Sequence, residues 1–132
     1  MMTFAAKNIS VSINRPKDSV YEFASDPENF PKWLAFVKSV RKKTDLVWEA
    51  ETDLGKIEFE LVPKNEFGVI DQVVTLPDGT KVDSHLRVIE NGSGTEVVFT
   101  LFRTPGKTEK EFDDDARAVQ TDLETLKIKL EN

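Results

Sequence analysis

Cysteine is absent from this 132-residue chain and histidine occurs once, at His85. Those two shortages exclude a disulfide framework, a thiolate nucleophile and any zinc site built from cysteine and histidine. A chain without cysteine suits a reducing compartment, so a cytoplasmic location is the expectation. Nowhere do about eighteen apolar residues run together, so no membrane span is expected. The first residues, MMTFAAKNISVSINRP, show no basic stretch followed by an apolar run of about seven or more, so no signal peptide is expected either. An excess of positive charge is also missing. Lys and Arg number 18 against 24 Asp and Glu, a net charge of −6. A nucleic-acid binder would show a basic face. Here the one basic cluster is Lys38, Arg41, Lys42 and Lys43. It reads as solvated surface at a strand end, with contact to an anionic ligand as the alternative, and nucleic acid is not an expected partner. Calcium loops of the EF-hand type need alternating acids and a glycine, and no such run occurs. No metal or cofactor is expected.

What the chain does have is one long amphipathic helix near its end, over about Thr108 to Leu130. Phe112, Ala116, Val119, Leu123, Leu126 and Leu130 recur at spacings of 4, 3, 4, 3 and 4, which puts them on one face. Thr108 followed by Glu111 makes a capping box at its start. Asp113, Asp114 and Asp115 add favourable charge in the early turns, where the helix dipole is positive. At this length one domain over residues 1–132 is expected, large enough to bury a core without staples.

Upstream the period is two. Residues 3–14 read as a strand in which Ile9, Val11 and Ile13 alternate with Ser10, Ser12 and Asn14. Pro16 opens a short helix to about Ser25 that carries Val20, Tyr21, Phe23 and Ala24. Asp26 then caps a second short helix over Pro27–Phe36, with Phe30, Trp33, Leu34 and Phe36. Strands are expected near 37–44, 45–53, 56–64, 67–76, 80–90 and 95–104. Leu54-Gly55 and Asn91-Gly92-Ser93-Gly94 supply turn residues.

Pro77-Asp78-Gly79 fits a type I turn closed by a glycine bulge, which pairs Leu76 with Thr80 and is preferred to a two-residue loop that would mix Asp71 with Leu86 on one face. Because a one-residue slip inverts both faces, that choice sends Ile70, Gln72, Val74, Leu76, Val82, Ser84, Leu86 and Val88 inward. Val69, Asp71, Val73, Thr75, Lys81, Asp83, His85 and Arg87 then face outward. The same reasoning sends Trp48, Ala50, Ile57, Phe59, Leu61, Val97, Phe99 and Leu101 inward, with Arg103 at the rim. Glu49, Glu51, Glu58 and Glu60 stay on the outer face as a solubilising ladder, at some cost in like-charge pairing.

The order is strand, two short helices, six strands, long helix. With VSINRPKDSVYEFASDPENFPKWLAFVKSV near the front and GTEVVFTLFRTPG before the last helix, the chain resembles the START-like (SRPBCC) superfamily. Within it, the chain is similar to the polyketide cyclase/dehydrase and lipid-transport proteins. The matching features are the Val20-x-x-Phe23 helix, Asp26-Pro27-x-x-x-x-x-Trp33 and the Gly94-Thr95-Glu96-Val97 strand entry. The resemblance implies an α+β helix-grip fold. A seven-stranded curved antiparallel sheet would carry the long helix on its concave face, over an apolar pocket. It implies no particular reaction, because carriers, sensors, regulators and enzymes share such folds.

Trp33, Phe36, Trp48, Phe59, Leu86, Phe99, Leu101, Phe112, Val119 and Leu123 should line such a pocket, with Gln72, Ser84 and Arg103, and Tyr21 as a further candidate, for polar contacts. A mostly apolar wall with few polar groups is what a small hydrophobic molecule requires. No catalytic set can be named. His85 faces outward opposite Asp71, and Ser84, adjacent in sequence, points to the other face, so no local Ser-His dyad forms. Three roles stay open: binding or transport of a lipid, polyketide or aromatic molecule; a cyclase or dehydratase acting on such a substrate; and a chaperone or stress-response regulator using the acidic outer face. Oligomeric state is not legible.

Overall fold

The computed structural model describes residues 2–132. The elements are β1 (Ala6–Ile13), α1 (Lys17–Ala24), a 3₁₀ turn (Pro27–Asn29), α2 (Phe30–Trp33), β2 (Val37–Lys42), β3 (Val47–Thr52), β4 (Gly55–Leu61), β5 (Gln72–Thr75), β6 (Lys81–Asn91), β7 (Gly94–Phe102) and α3 (Glu109–Glu131). The strands form one antiparallel sheet in the order β1-β7-β6-β5-β4-β3-β2. This is the expected α+β helix-grip arrangement.

Alternation decides which side chains meet α3. On β1, Ile9 and Ile13 are buried while Ser10, Ser12 and Ala6 are exposed. Leu123 and Leu126 of α3 join the same core as Ile9, Ile13, Leu86, Val88 and Val97, with Ala116, Val119 and Leu130 packed against it. Polar contacts pin α3 over β1 at both ends. Near its start, Lys7 Nζ donates to Asp113 Oδ1 at 2.6 Å. Near its end, Lys127 Nζ donates to the Ser12 carbonyl at 2.6 Å and Arg15 Nε to the Leu130 carbonyl at 2.7 Å. The capping box is present: Glu111 N–H donates to Thr108 Oγ1, and Thr108 N–H to Glu111 Oε1.

The 77–79 turn has the expected register. Leu76 N–H donates to the Thr80 carbonyl, Gly79 takes a φ of 89°, and Gln72 pairs with Ser84. The β3–β4 pair matches Trp48 with Phe59 and Ala50 with Ile57, but its loop is Asp53-Leu54, because Gly55 already pairs with Thr52. The inward set is the same in either description.

Three expectations need correction. First, the second short helix does not reach Phe36. It is a 3₁₀ turn and one helical turn ending at Trp33, after which Leu34 is extended and leads the chain into β2. Second, the strands expected at 56–64 and 67–76 shrink to Gly55–Leu61 and Gln72–Thr75. Pro63 has no N–H for a ladder, and Gly68 takes a left-handed φ of 73°. A Cβ on Gly68 would lie 2.1 Å from the Val88 carbonyl oxygen, so the backbones approach there as only glycine permits. Asn65 knots this irregular segment: its side chain accepts from Phe67 and Val69 N–H and donates to the Pro63 and Val69 carbonyls. Third, Val82 is 40% exposed. α3 packs over β1 and β7 and against α2, so the outer end of the β5–β6 hairpin has no cover.

Candidate ligand cavity

A cavity of about 180 Å³ lies between the middle of the sheet, α2 and α3. Ile57 and Phe59 of β4, Val74 of β5, Leu86 of β6 and Phe99 of β7 form its sheet wall. Phe30 and Trp33 close one side; their rings meet edge to face at 6.2 Å, and Phe30 lies 5.2 Å from Phe59. Val119 and Leu123 of α3 form the facing wall, and Leu34, Phe36 and Val37 complete it. Phe36 is 45% exposed and stands where the wall meets solvent.

Three lining residues are polar: Gln72, Ser84 and Asp122. Gln72 and Ser84 are half-buried and directly opposed across the β5–β6 pair. Asp122 comes from α3, one position before Leu123. The Ala35 N–H, in the loop between α2 and β2, donates to its Oδ1 at 3.2 Å. Burial raises the Asp122 pKa above the ordinary value, and the Ala35 bond offsets this only in part. Trp33 is buried with its Nε1–H unpaired among the described residues.

Of the residues expected to line a pocket, Trp33, Phe36, Phe59, Gln72, Ser84, Leu86, Phe99, Val119 and Leu123 surround this one cavity. Trp48 does not. It faces a separate recess with Tyr21, Pro27, Leu61 and Ile70, on the far side of the Phe30–Phe59 contact. Tyr21 is spoken for there, since its hydroxyl accepts the Asn65 N–H at 3.0 Å. Leu101 packs against the core without reaching the cavity. Arg103 is exposed, and its Nε donates to the Lys107 carbonyl, tying down the approach to α3. Phe112 is buried at the first turn of α3 beneath Lys7, whose Nζ lies 5.0 Å from the ring centre. Leu101 and Phe112 have a common position, near the end of the sheet where Lys7 ties β1 to Asp113 of α3. Neither side chain borders the void.

The apolar stripe of the last helix leaves Asp122 out of the expected lining. The signal was available: on a helix it lies only about 60° from Val119, inside the width of a core-facing stripe. Phe30 and Leu34 of the second short helix and Val37 at the start of the next strand also join the wall.

On the outer face, Asp71 is the centre of a polar cluster. Arg87 Nε and Nη2 donate to its two oxygens at 3.0 and 2.6 Å, Leu86 N–H donates to Oδ1, and His85 Nδ1 lies 3.5 Å away. Burial of Asp71 works to raise its pKa, but the Arg87 and His85 hydrogen bonds outweigh it and hold the carboxyl below its ordinary value. The group reads as a satisfied ion pair on the surface. Two of the four ladder glutamates are paired: Arg41 and Lys56 reach Glu49, and Lys43 reaches Glu58. Asp113 pairs with Lys7, Asp114 with Lys110 and Arg117, and Asp115 with Lys107. Among the described residues, no group of three or more His, Asp or Glu side chains is arranged to hold a metal ion, and no helix is long and apolar enough to cross a membrane.

Residues 7–131 match the family model described as polyketide cyclase/dehydrase and lipid transport. The chain belongs to that family. No curated protein sequence matches it significantly. Solved structures similar to this family member include an uncharacterised protein from Bacillus thuringiensis, with TM-score 0.76, 16% identity and coverage of 97% of this chain and 100% of that one. A START superfamily protein from Mycobacterium smegmatis matches with TM-score 0.74 and 12% identity, over 96% and 97% of the two chains. The Zhui aromatase/cyclase from Streptomyces sp. R1128 matches with TM-score 0.69 and 17% identity, over 97% and 94%. At these identities the likeness carries the fold.

Proposed function

We propose that this protein binds a hydrophobic small molecule in the cavity between the sheet and α3. The observation that carries this reading is the cavity itself. Protein cores ordinarily leave few voids larger than a water, yet about 180 Å³ stays open beneath α3 with a mostly apolar wall. An apolar void forfeits dispersion contacts along its lining, and a ligand restores them. The family's description, which spans polyketide and lipid chemistry, supports a ligand of this polarity.

A cyclase or dehydratase would need several polar groups converging on one carbonyl. Arg103 and Tyr21 are committed elsewhere, to the Lys107 carbonyl and the Asn65 N–H. Gln72, Ser84 and Asp122 stay in the wall, but no His, Lys or Arg stands with them, so holding a ligand is better supported than transforming one. The regulator reading has less support, because two of the four ladder glutamates, Glu49 and Glu58, are already paired with Arg41, Lys56 and Lys43.

Native mass spectrometry of protein purified without denaturation tests the proposal, together with thermal melts against a panel of small aromatics and fatty acids. A bound mass, or a rise in Tm with at least one compound that disappears in Val119→Trp, is the expected result. A panel without effect on the wild-type protein, and no co-purifying molecule, would overturn it.

A further inference from the structure

The cavity wall holds one anomaly. Every lining residue but one is neutral, and the exception, Asp122, projects from the helix that closes the chamber. Val119 and Leu123 flank it on α3, and no basic side chain pairs with it among the described residues. Its single protein partner is the Ala35 N–H.

A purely structural explanation is a latch that ties the α2–β2 loop to α3. A latch needs one acceptor, which asparagine supplies at the same length without removing a charge from water. A carboxylate offers about four acceptor sites, and the Ala35 bond uses one. The rest is free for an occupant of the chamber, since Asp122 stands half-buried in its wall. Burial also pushes this carboxyl's pKa upward, which is the sign of a group whose ionised form the protein alone does not satisfy.

The dimensions narrow the class further. An engineered apolar cavity of about 150 Å³ takes benzene, and this one measures about 180 Å³. One ring, or two small fused rings, fits wholly inside that space, whereas an extended acyl chain or a polycyclic skeleton would project beyond it.

We infer that Asp122 is the polar anchor of the cavity, and that the molecule held there is a compact aromatic ring system presenting an N–H or O–H donor to this carboxylate. The inference rests on the ligand-holding role proposed above and specifies its chemistry. The donor points towards α3, and Gln72 and Ser84 on the sheet wall are left for any second polar substituent.

The test is calorimetric titration of the full chain with shape-matched probes: toluene against phenol, and ethylbenzene against benzyl alcohol and benzylamine. A wholly apolar chamber prefers the hydrocarbon of each set, because burying an unpaired hydroxyl or amine costs free energy. With Asp122 as anchor the order is reversed, and the donor-bearing probe binds about tenfold or more tightly, the gain typical of a hydrogen bond to a charged group. In Asp122→Asn the Ala35 bond is kept and the donor preference falls below about threefold, while hydrocarbon affinity is unchanged. Hydrocarbon affinity also reports that the variant has folded with its cavity intact. Hydrocarbons binding as well as or better than the donors in the wild-type protein would overturn the inference and leave the ligand-holding role standing. So would a donor preference that survives in Asp122→Asn. No binding by any probe would overturn both.

Discussion

Two leucines three positions apart on α3 offer a direct test of the cavity as a physical feature. Leu123 is 1% exposed and Leu126 is 0% exposed, so by burial alone the two are equivalent. They differ in what they touch: Leu123 lines the cavity, whereas Leu126 is enclosed by core side chains. Truncating a buried leucine to alanine costs the lost transfer free energy plus a term of about 24 cal/mol per Å³ of void left behind, about 2.7 to 5 kcal/mol in all. At Leu126 neighbours meet the side chain all round and a new closed hole forms, so the cost should fall near the top, about 4 to 5 kcal/mol. At Leu123 one flank already lacks contacts, and the vacated volume merges with an existing space. There the cost should be near the bottom, about 2.5 to 3 kcal/mol. Urea unfolding followed by circular dichroism resolves this. With a slope of about 2 kcal/mol/M, a gap of about 1.5 kcal/mol separates the two midpoints by about 0.75 M, with slopes unchanged. Equal losses, or a greater loss for Leu123→Ala, would refute the argument, because they would mean that the space beside Leu123 is filled.

Gly68→Ala should be among the costliest single-methyl additions, at least about 2 kcal/mol by thermal melting, since its Cβ would collide with the Val88 carbonyl oxygen at 2.1 Å and its φ is 73°. Asp122 has a raised pKa in the folded chain, so its contribution favours folding most fully below the unfolded value and is lost as pH rises through the folded one. Asp122→Asn should therefore be at least as stable as wild type at pH 7 and should lose that part of the pH dependence, measured as Tm against pH in both proteins. Asp71 has the opposite sign: its folded pKa is lowered, so its contribution is present above the unfolded value and is lost as pH falls through the folded one. In Arg87→Met the Asp71 carboxyl should titrate at higher pH by NMR, and an unchanged midpoint would discount the ion pair.

How much could be read from the chain alone differs from element to element. The capping box, the register at the 77–79 turn and the outward facing of Asp71 and His85 were legible because each rests on local chemistry. Thr108 and Glu111 are three residues apart, and a turn type sets the pairing of its own flanks. Segment 62–71 was misjudged because its apolar residues suggest a strand, while Pro63 removes a donor and the close approach of Gly68 to Val88 involves a segment far along the chain. Val82 shows the same limit from the other side. Its alternation is right, but exposure depends on how far α3 extends over the sheet.

Periodicity by itself determined which side chains turn inward, and with the long terminal helix that settled the architecture, because the direction of a side chain follows from backbone geometry a few residues wide. Only the tertiary structure decided which inward residues border open space, leaving Trp48, Leu101, Arg103 and Phe112 outside the cavity and bringing Asp122 into its wall. A void is the gap between two surfaces distant in sequence. Its position follows from the angle at which helix and sheet part and from the summed volumes between them, and no local pattern of residues carries either quantity.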